Sequence, residues 1–211
     1  MSNQIELWKG PFGDDYQQRN LLTDDEVNLR IPFLTSVLQV CYQNSNGALP
    51  DSILEIGAGQ GPNMAALEKI QLQMQRPLKL YATEINDKAR DALQQNVKSL
   101  EVLNDIPKIP CADLVFTYGV LIHTHPAHLR SLQDKIYASS KRWIMCAEYF
   151  APDSRPIPYR GEKDALWLDD YGTKWIDNYP LRLLGYAFCW KKTTKLDNIT
   201  MWLFEKTEKM I

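Results

Sequence analysis

A short apolar run at residues 53–56 stops at three glycines on alternate positions, Gly57, Gly59 and Gly61, and Pro62 follows at once. This pattern predicts a buried strand, a tight turn and the start of a helix. Proline suits the first helical turn, where its missing N–H costs nothing. Glycines let the backbone take positive φ and approach a ligand that a Cβ would block, and the N–H groups of a helix start point at whatever binds there. The spacing also discriminates. A dinucleotide fingerprint wants a small residue five positions after the first glycine, and that position holds Pro62.

With 211 residues the chain is long enough for one domain with a sizeable core. The net charge is −2 and no block of Lys and Arg stands out, which disfavours nucleic acid as a partner, because neutralising phosphates supplies most non-specific affinity. The N-terminus lacks a signal pattern and no apolar run approaches the length of a membrane span, so the expectation is a cytoplasmic protein. Cys41, Cys111, Cys146 and Cys189 are scattered without a Cys-x-x-Cys pair. They are expected to be free thiols in a reducing compartment.

Residues 1–22 are unusual, with Trp8, Phe12 and Tyr16 among glycines, acids and Arg19. They show neither helical nor strand period, and are expected to lie back on the domain as a clasp or a lid. Residues 23–211 are expected to form a single domain. A helix is signalled from Thr23, with Glu26 three positions on, although Pro32 is expected to kink or restart it. Strands are expected at 52–56, 78–83, 102–106, 113–122 and 143–147, with helices between them. Residues 151–180, with several prolines, are expected to be an irregular insertion forming a substrate-binding wall. Residues 186–190 and 199–205 are expected to be a closing antiparallel pair.

Glu84 lies 27 residues after Gly57, at the end of the second strand. An acid placed there can reach a ribose and accept bonds from both hydroxyls. Asp105, near the third strand, can accept from the exocyclic amine of an adenine, or can simply face water.

The run Glu55-x-Gly-x-Gly-x-Gly, with Glu84 and the closing strand pair, resembles class I S-adenosylmethionine-dependent methyltransferases over residues 31–206. The resemblance implies an α/β, Rossmann-like fold: a seven-stranded sheet with the last strand antiparallel and helices on both faces. Four further stretches resemble the pseudaminic acid biosynthesis-associated methylases: residues 8–20, Gly119 to His123, Glu148-Tyr149 and Tyr159-Arg160-Gly161. Gln60 departs from the small residue that many methyltransferases carry at its position. S-adenosyl-L-methionine is the implied cofactor. The residues assigned to it are Tyr16 and Arg19 of the arm, Glu55, Gly57, Ala58, Gly59 and Asn63 of the loop, Glu84 and Ile85, Asp105 and Ile106, and Tyr118, Gly119 and Ile122. The implied acceptor is a small anionic sugar of the nonulosonic acid type, free or nucleotide-linked. Asp15, Tyr149, Tyr159 and Arg160 are assigned to it.

Methyl transfer from a sulfonium is an in-line displacement, so the enzyme mainly orients its reactants. The methyl is expected to go to an oxygen or a nitrogen of the acceptor; a hydroxyl also needs a base, whereas an amine that enters neutral need not have one. His123, after the central strand, is the first candidate and Glu148, at the next strand end, the second. A helix-entry histidine making only local bonds is the plain alternative for His123. An Arg19–Arg160 pair would suit a carboxylate. No metal is expected, because Pro126 interrupts the cluster of His123, His125 and His128 and helical His-x-x-x-His spacing is absent. The other function classes are a cofactor-binding subunit without turnover, a methyltransferase of another small metabolite, and a nucleotide-dependent oxidoreductase, against which Pro62 argues.

Overall fold

The computed structural model describes residues 3–207. The chain divides after Ile106 into two compact units.

The first unit runs α1 (Asn3–Lys9), α2 (Pro11–Arg19), α3 (Asp24–Asn44), β1 (Ser52–Ile56), α4 (Pro62–Met74), β2 (Lys79–Thr83), α5 (Asp87–Asn96) and β3 (Leu100–Leu103). β1 pairs with β2, and β2 with β3, all in parallel. Every residue of β1 is buried, as expected of a parallel strand covered on both faces. α3 packs against α4, burying Phe33, Leu34, Val37, Leu38 and Cys41 on one side and Met64, Ala65, Ala66, Leu67 and Ile70 on the other. Thr23 caps α3 by accepting from the Glu26 N–H at 3.2 Å. Pro62 occupies the first turn of α4. A Cβ on Gly61, whose φ is +88°, would stand 2.4 Å from Leu93 Cδ1. This glycine therefore serves the packing of α5 against the loop.

Two expectations for this unit are corrected. Pro32 does not restart α3, which is continuous. The buried face on both sides of the proline outweighs the roughly 3 kcal/mol that an interior proline costs. The arm is also not aperiodic, since residues 3–19 form α1 and α2. Gly10 and Pro11 do not end the structure. They turn the chain from one helix into the next, with Pro11 at a helix start. Trp8 sets its ring edge-on to both Phe12 and Tyr16, with centroids 5.3 Å apart in each pair.

The second unit runs β4 (Ala112–Tyr118), a 3₁₀ turn (Leu121–His123), α6 (Pro126–Ser139), β5 (Ser140–Glu148), β6 (Arg155–Tyr159), β7 (Glu162–Leu168), α7 (Tyr171–Asn178), β8 (Leu181–Cys189), α8 (Lys191–Thr194) and β9 (Ile199–Lys206). β4 pairs with β5 in parallel, β5 with β9 antiparallel, and β9 with β8 antiparallel. Cys146, Met145 and Ile144 on β5 and Leu203 and Phe204 on β9 are almost wholly buried. The central strand ends at Tyr118 instead of running to residue 122, because Gly119 takes φ +68° and leads into the turn. The stretch expected to be irregular is built from a hairpin, β6–β7, followed by α7. Arg160 and Gly161, at φ +51° and +90°, make its two-residue turn between the paired Tyr159 and Glu162.

The main sheet carries the first unit's strands in the order β3-β2-β1 and the second unit's in the order β4-β5-β9-β8. It has seven strands with the last in sequence, β9, antiparallel, as the resemblance implies. Cys41, Cys146 and Cys189 are buried and Cys111 half-buried, all as free thiols. Among the described residues no helix is long and apolar enough to cross a membrane.

Candidate functional site

In the first unit the glycine loop is tied to the end of β2. The Gly57 and Ala58 N–H groups donate to the Thr83 carbonyl at 2.8 and 3.1 Å. The Gly59 N–H donates to Glu84 Oε2 at 2.7 Å, and the Asn86 N–H to Glu84 Oε1 at 2.8 Å. Burial raises the Glu84 pKa, and the N–H groups of Asn86, Gly59 and Ile85 oppose that rise. An ionised carboxyl offers about four acceptor sites, so Glu84 keeps acceptor capacity beyond these N–H groups. A Cβ on Gly59 would meet only Gln17 Oε1, at 3.9 Å. The backbone there is open where at Gly61 it is packed.

Beneath the loop, Glu55 is buried and accepts from Asn63 Nδ2 at 2.6 Å through Oε1. Its Oε2 and Asn63 Oδ1 are buried without a hydrogen-bond partner. An orphaned acceptor pair is costly in a closed protein and fits a site whose ligand brings donors or positive charge. Burial pushes the Glu55 carboxyl up to about 8. A carboxyl raised on folding stabilises most below its unfolded value of about 4.5, and the contribution is lost as pH rises through the folded value. Ligand-free protein is therefore expected to melt lower with each pH unit between about 5 and 8. The expected loss is on the order of 1 kcal/mol, a few °C, per unit. Glu55→Gln is expected to flatten this slope in a thermal scan, and an unchanged slope would assign the effect elsewhere.

The arm meets this cradle through polar side chains that the sequence reading did not assign. Gln60 Nε2 donates to the Gln17 carbonyl at 2.7 Å, and Gln60 Oε1 accepts from the Leu22 N–H at 3.2 Å. Asn86 Nδ2 donates to the Trp8 carbonyl at 3.2 Å and to Asp14 Oδ1 at 2.9 Å. Lys88 pairs with Asp14 at 2.5 Å. Tyr16 is half-buried, whereas Asp15 and Arg19 are exposed, as are Ile85 and Asp105; Ile106 is half-buried. Asp105 accepts from the Ile106 N–H at 2.7 Å. The signal available in the sequence was Gln60 itself, the bulky residue where the loop usually carries a small one.

In the second unit the turn after β4 is organised by Glu148. This carboxylate is fully buried. It accepts from Thr117 Oγ1 at 2.8 Å, the Val120 N–H at 3.3 Å and the Ile122 N–H at 3.2 Å. Burial pushes its pKa up to about 7 against the pull of those donors. Glu148 thus braces the turn through these three donors. His123, at the end of the same turn, sets Nδ1 2.6 Å from the Ala165 carbonyl. A carbonyl only accepts, so Nδ1 carries the proton and Nε2 the lone pair. Burial pushes the His123 pKa down to about 4. Tyr159 lies against the imidazole, with ring centroids 5.3 Å apart. Tyr118 and Gly119 are half-buried and Ile122 is buried. Arg160 is exposed on the hairpin turn, its guanidinium 5.7 Å from the Tyr159 ring centroid. His125 caps α6 by accepting from the Ala127 N–H. No cluster of three or more metal-ligating side chains occurs among the described residues.

Beyond the carboxyl end of β5 lies a groove of about 500 Å³. Tyr149, Phe150, Leu168 and Phe188 line it, together with the Lys191–Asp197 ion pair.

No family model and no curated protein matches the chain. Solved structures do. Magnesium protoporphyrin IX methyltransferase from Synechocystis PCC 6803, with bound SAM, superposes at a TM-score of 0.62, 13% identity, covering 98% of this chain and 99% of that one. The 1,6-didemethyltoxoflavin-N1-methyltransferase of Burkholderia thailandensis gives a TM-score of 0.69 at 12% identity, covering 99% and 92%. The plantazolicin methyltransferase in complex with a pentazolic analogue and SAH gives 0.59 at 14%, covering 96% and 95%. At such identities the likeness is one of fold, and the chain has the class I methyltransferase fold.

Proposed function

We propose that the chain is an S-adenosylmethionine-dependent methyltransferase of a small-molecule acceptor. The observation that carries this reading is the Gly59–Glu84 pair: an open glycine beside a carboxylate already oriented by two backbone N–H groups. Glu84 would hold the ribose hydroxyls. The loop glycines would admit the chain of the ligand, and the orphaned Glu55 and Asn63 oxygens would face its donors or charge. When bound, the cofactor supplies a methyl group on a sulfonium, an electrophile that needs alignment more than activation. For an acceptor hydroxyl, His123 Nε2 would take the proton, with Ala165 fixing the tautomer from the other side of the ring. The solved neighbours that hold SAM or SAH add support from the fold. Titration calorimetry with S-adenosylmethionine, S-adenosylhomocysteine and NAD tests the reading. Binding of the first two is expected. Binding of NAD alone would make the chain an oxidoreductase.

The finer proposal is an anionic sugar of the nonulosonic acid type as acceptor. Its support is the family resemblance and the exposed Arg160, next to the Tyr159 that packs on His123. Arg160→Lys keeps the charge and loses the planar fork, so KM for such an acceptor is expected to rise about tenfold with cofactor affinity untouched. The acceptor itself is identifiable by incubating the protein with labelled cofactor and cell extract and characterising the labelled product. A neutral product, or an unchanged KM, would move recognition to the aromatic groove lined by Tyr149, Phe150 and Phe188.

A further inference from the structure

Gln60 and Asn86 sit on the two loops that build the cofactor cradle, one after β1 and one after β2, yet their side chains do not point to a ligand. Both grip the arm. Gln60 uses both ends of its amide: Nε2 donates to the carbonyl of Gln17 in α2, and Oε1 accepts from the N–H of Leu22, where the arm leaves for α3. The Gln60 carbonyl is held in turn by Asn96 Nδ2 at 2.9 Å, so the grip is anchored to α5. Asn86 divides its amide likewise. Oδ1 caps α5 by accepting from the Ala89 N–H at 2.9 Å, while Nδ2 donates to Trp8 and Asp14. Gln60 and Gln17 are each 9% exposed and Asn86 2%, so water does not compete freely for these bonds. Meanwhile Gln17 Oε1 is the atom that stands nearest the open side of Gly59. The arm therefore closes on the part of the cradle where the proposed ligand enters.

We infer that Gln60 and Asn86 form a two-point latch that holds the α1–α2 arm closed, and that release of this latch governs the exit of the S-adenosyl ligand. Both are positioning residues. Neither is asked to touch the ligand. The inference rests on the proposed function for its ligand and not for its geometry. It also accounts for the departure at Gln60: a small residue there would leave the arm without its central bonds. The grip consists of a few buried hydrogen bonds, each of which costs little to exchange but more to leave unpaired. Such a contact opens without unfolding the unit.

Two variants separate the latch from the fold. Gln60→Glu keeps the shape but sets an acceptor against the Gln17 carbonyl. Asn86→Asp keeps the α5 cap, since aspartate caps as well as asparagine, but sets a carboxylate against Asp14. Amide exchange of α2 is measured first, on ligand-free protein. Dissociation of S-adenosylhomocysteine is then measured by stopped flow. In both variants α2 is expected to lose protection and the ligand to leave roughly 10- to 100-fold faster. In Gln60→Glu both effects are expected to reverse as pH falls and the carboxyl takes up a proton it can donate to Gln17, a reversal that general damage to the loop would not show. Unchanged α2 protection would overturn the latch. Lost protection with unchanged release would make the arm a clasp without a gating role and overturn the gate. Failure of the wild type to bind S-adenosylhomocysteine would remove the functional reading and the gate with it, and the exchange data would still show whether the grip exists.

Discussion

Glu84→Ala is expected to lower the affinity for S-adenosylmethionine and S-adenosylhomocysteine by about 30- to 1,000-fold while the protein remains folded. Two effects add. The ligand loses its bonds to a charged acceptor, worth roughly 2–4 kcal/mol for a pair of hydroxyls. The cradle also loses its brace, since Glu84 accepts from Gly59 on one loop and Asn86 on the other. The residue is half-buried at a strand end, so its removal opens no cavity in the core, and the melting temperature is expected to move by only a few degrees. Glu84→Gln isolates the brace from the charge. It keeps one oxygen and turns an N–H₂ toward the donor on the other side, so its affinity is expected to fall between those of the wild type and Glu84→Ala. Calorimetric titration of the three proteins is the measurement. Wild-type affinity in folded Glu84→Ala would remove Glu84 from the cofactor site.

The parts of this molecule that were legible in its sequence are those where local chemistry and tertiary demand agree. Glycines at alternate positions with Pro62 directly after can hardly be anything but a strand-to-helix turn, and β1 and α4 lie where they predict. Glu84 was placed by counting, because a strand–helix–strand unit has a narrow length. The misread stretches are those where a breaker was given its average meaning. Pro32 sits in a helix whose buried face overrides it. Gly10 and Pro11 mark a corner between two helices whose Trp8, Phe12 and Tyr16 recur every four residues. Prolines 156 and 158 lie in a two-stranded hairpin outside the main sheet, where a missing donor costs little. Arg160 takes the positive φ of a tight turn, which its residue type does not signal. No periodicity could have revealed that Glu148 collects the donors of the turn before His123, or that Ala165 sets the tautomer of that histidine. These are contacts between residues 26 to 42 positions apart.

His123→Ala is expected to lower kcat by about 10²- to 10⁴-fold on a hydroxyl acceptor, with little change in cofactor affinity. The argument turns on protonation state. An imidazole in water is about half charged near pH 6.5. Desolvation pushes half-buried His123, which lies beside Tyr159, down to about 4, against the opposing pull of the Ala165 carbonyl on Nδ1–H. It is therefore neutral throughout the physiological range, with its lone pair on Nε2. The sign of the pH dependence follows: activity carried by this base is full above about pH 5 and is lost as pH falls through about 4. The lowered pKa makes His123 a weak base, but methyl transfer asks only that the proton leave as the new bond forms, and a desolvated neutral base supplies that without first shedding a proton of its own. His123→Gln serves as the second variant. Its amide can still bond Ala165 and fill most of the space, so the turn braced by Glu148 is expected to survive while the base is gone. A loss of kcat shared by His123→Ala and His123→Gln, with unchanged melting of the latter, marks His123 as the base. Wild-type turnover in His123→Gln would leave it as the helix-entry residue of its plain reading. A large loss in His123→Ala alone would reduce it to a spacer that keeps Tyr159 and the turn in place.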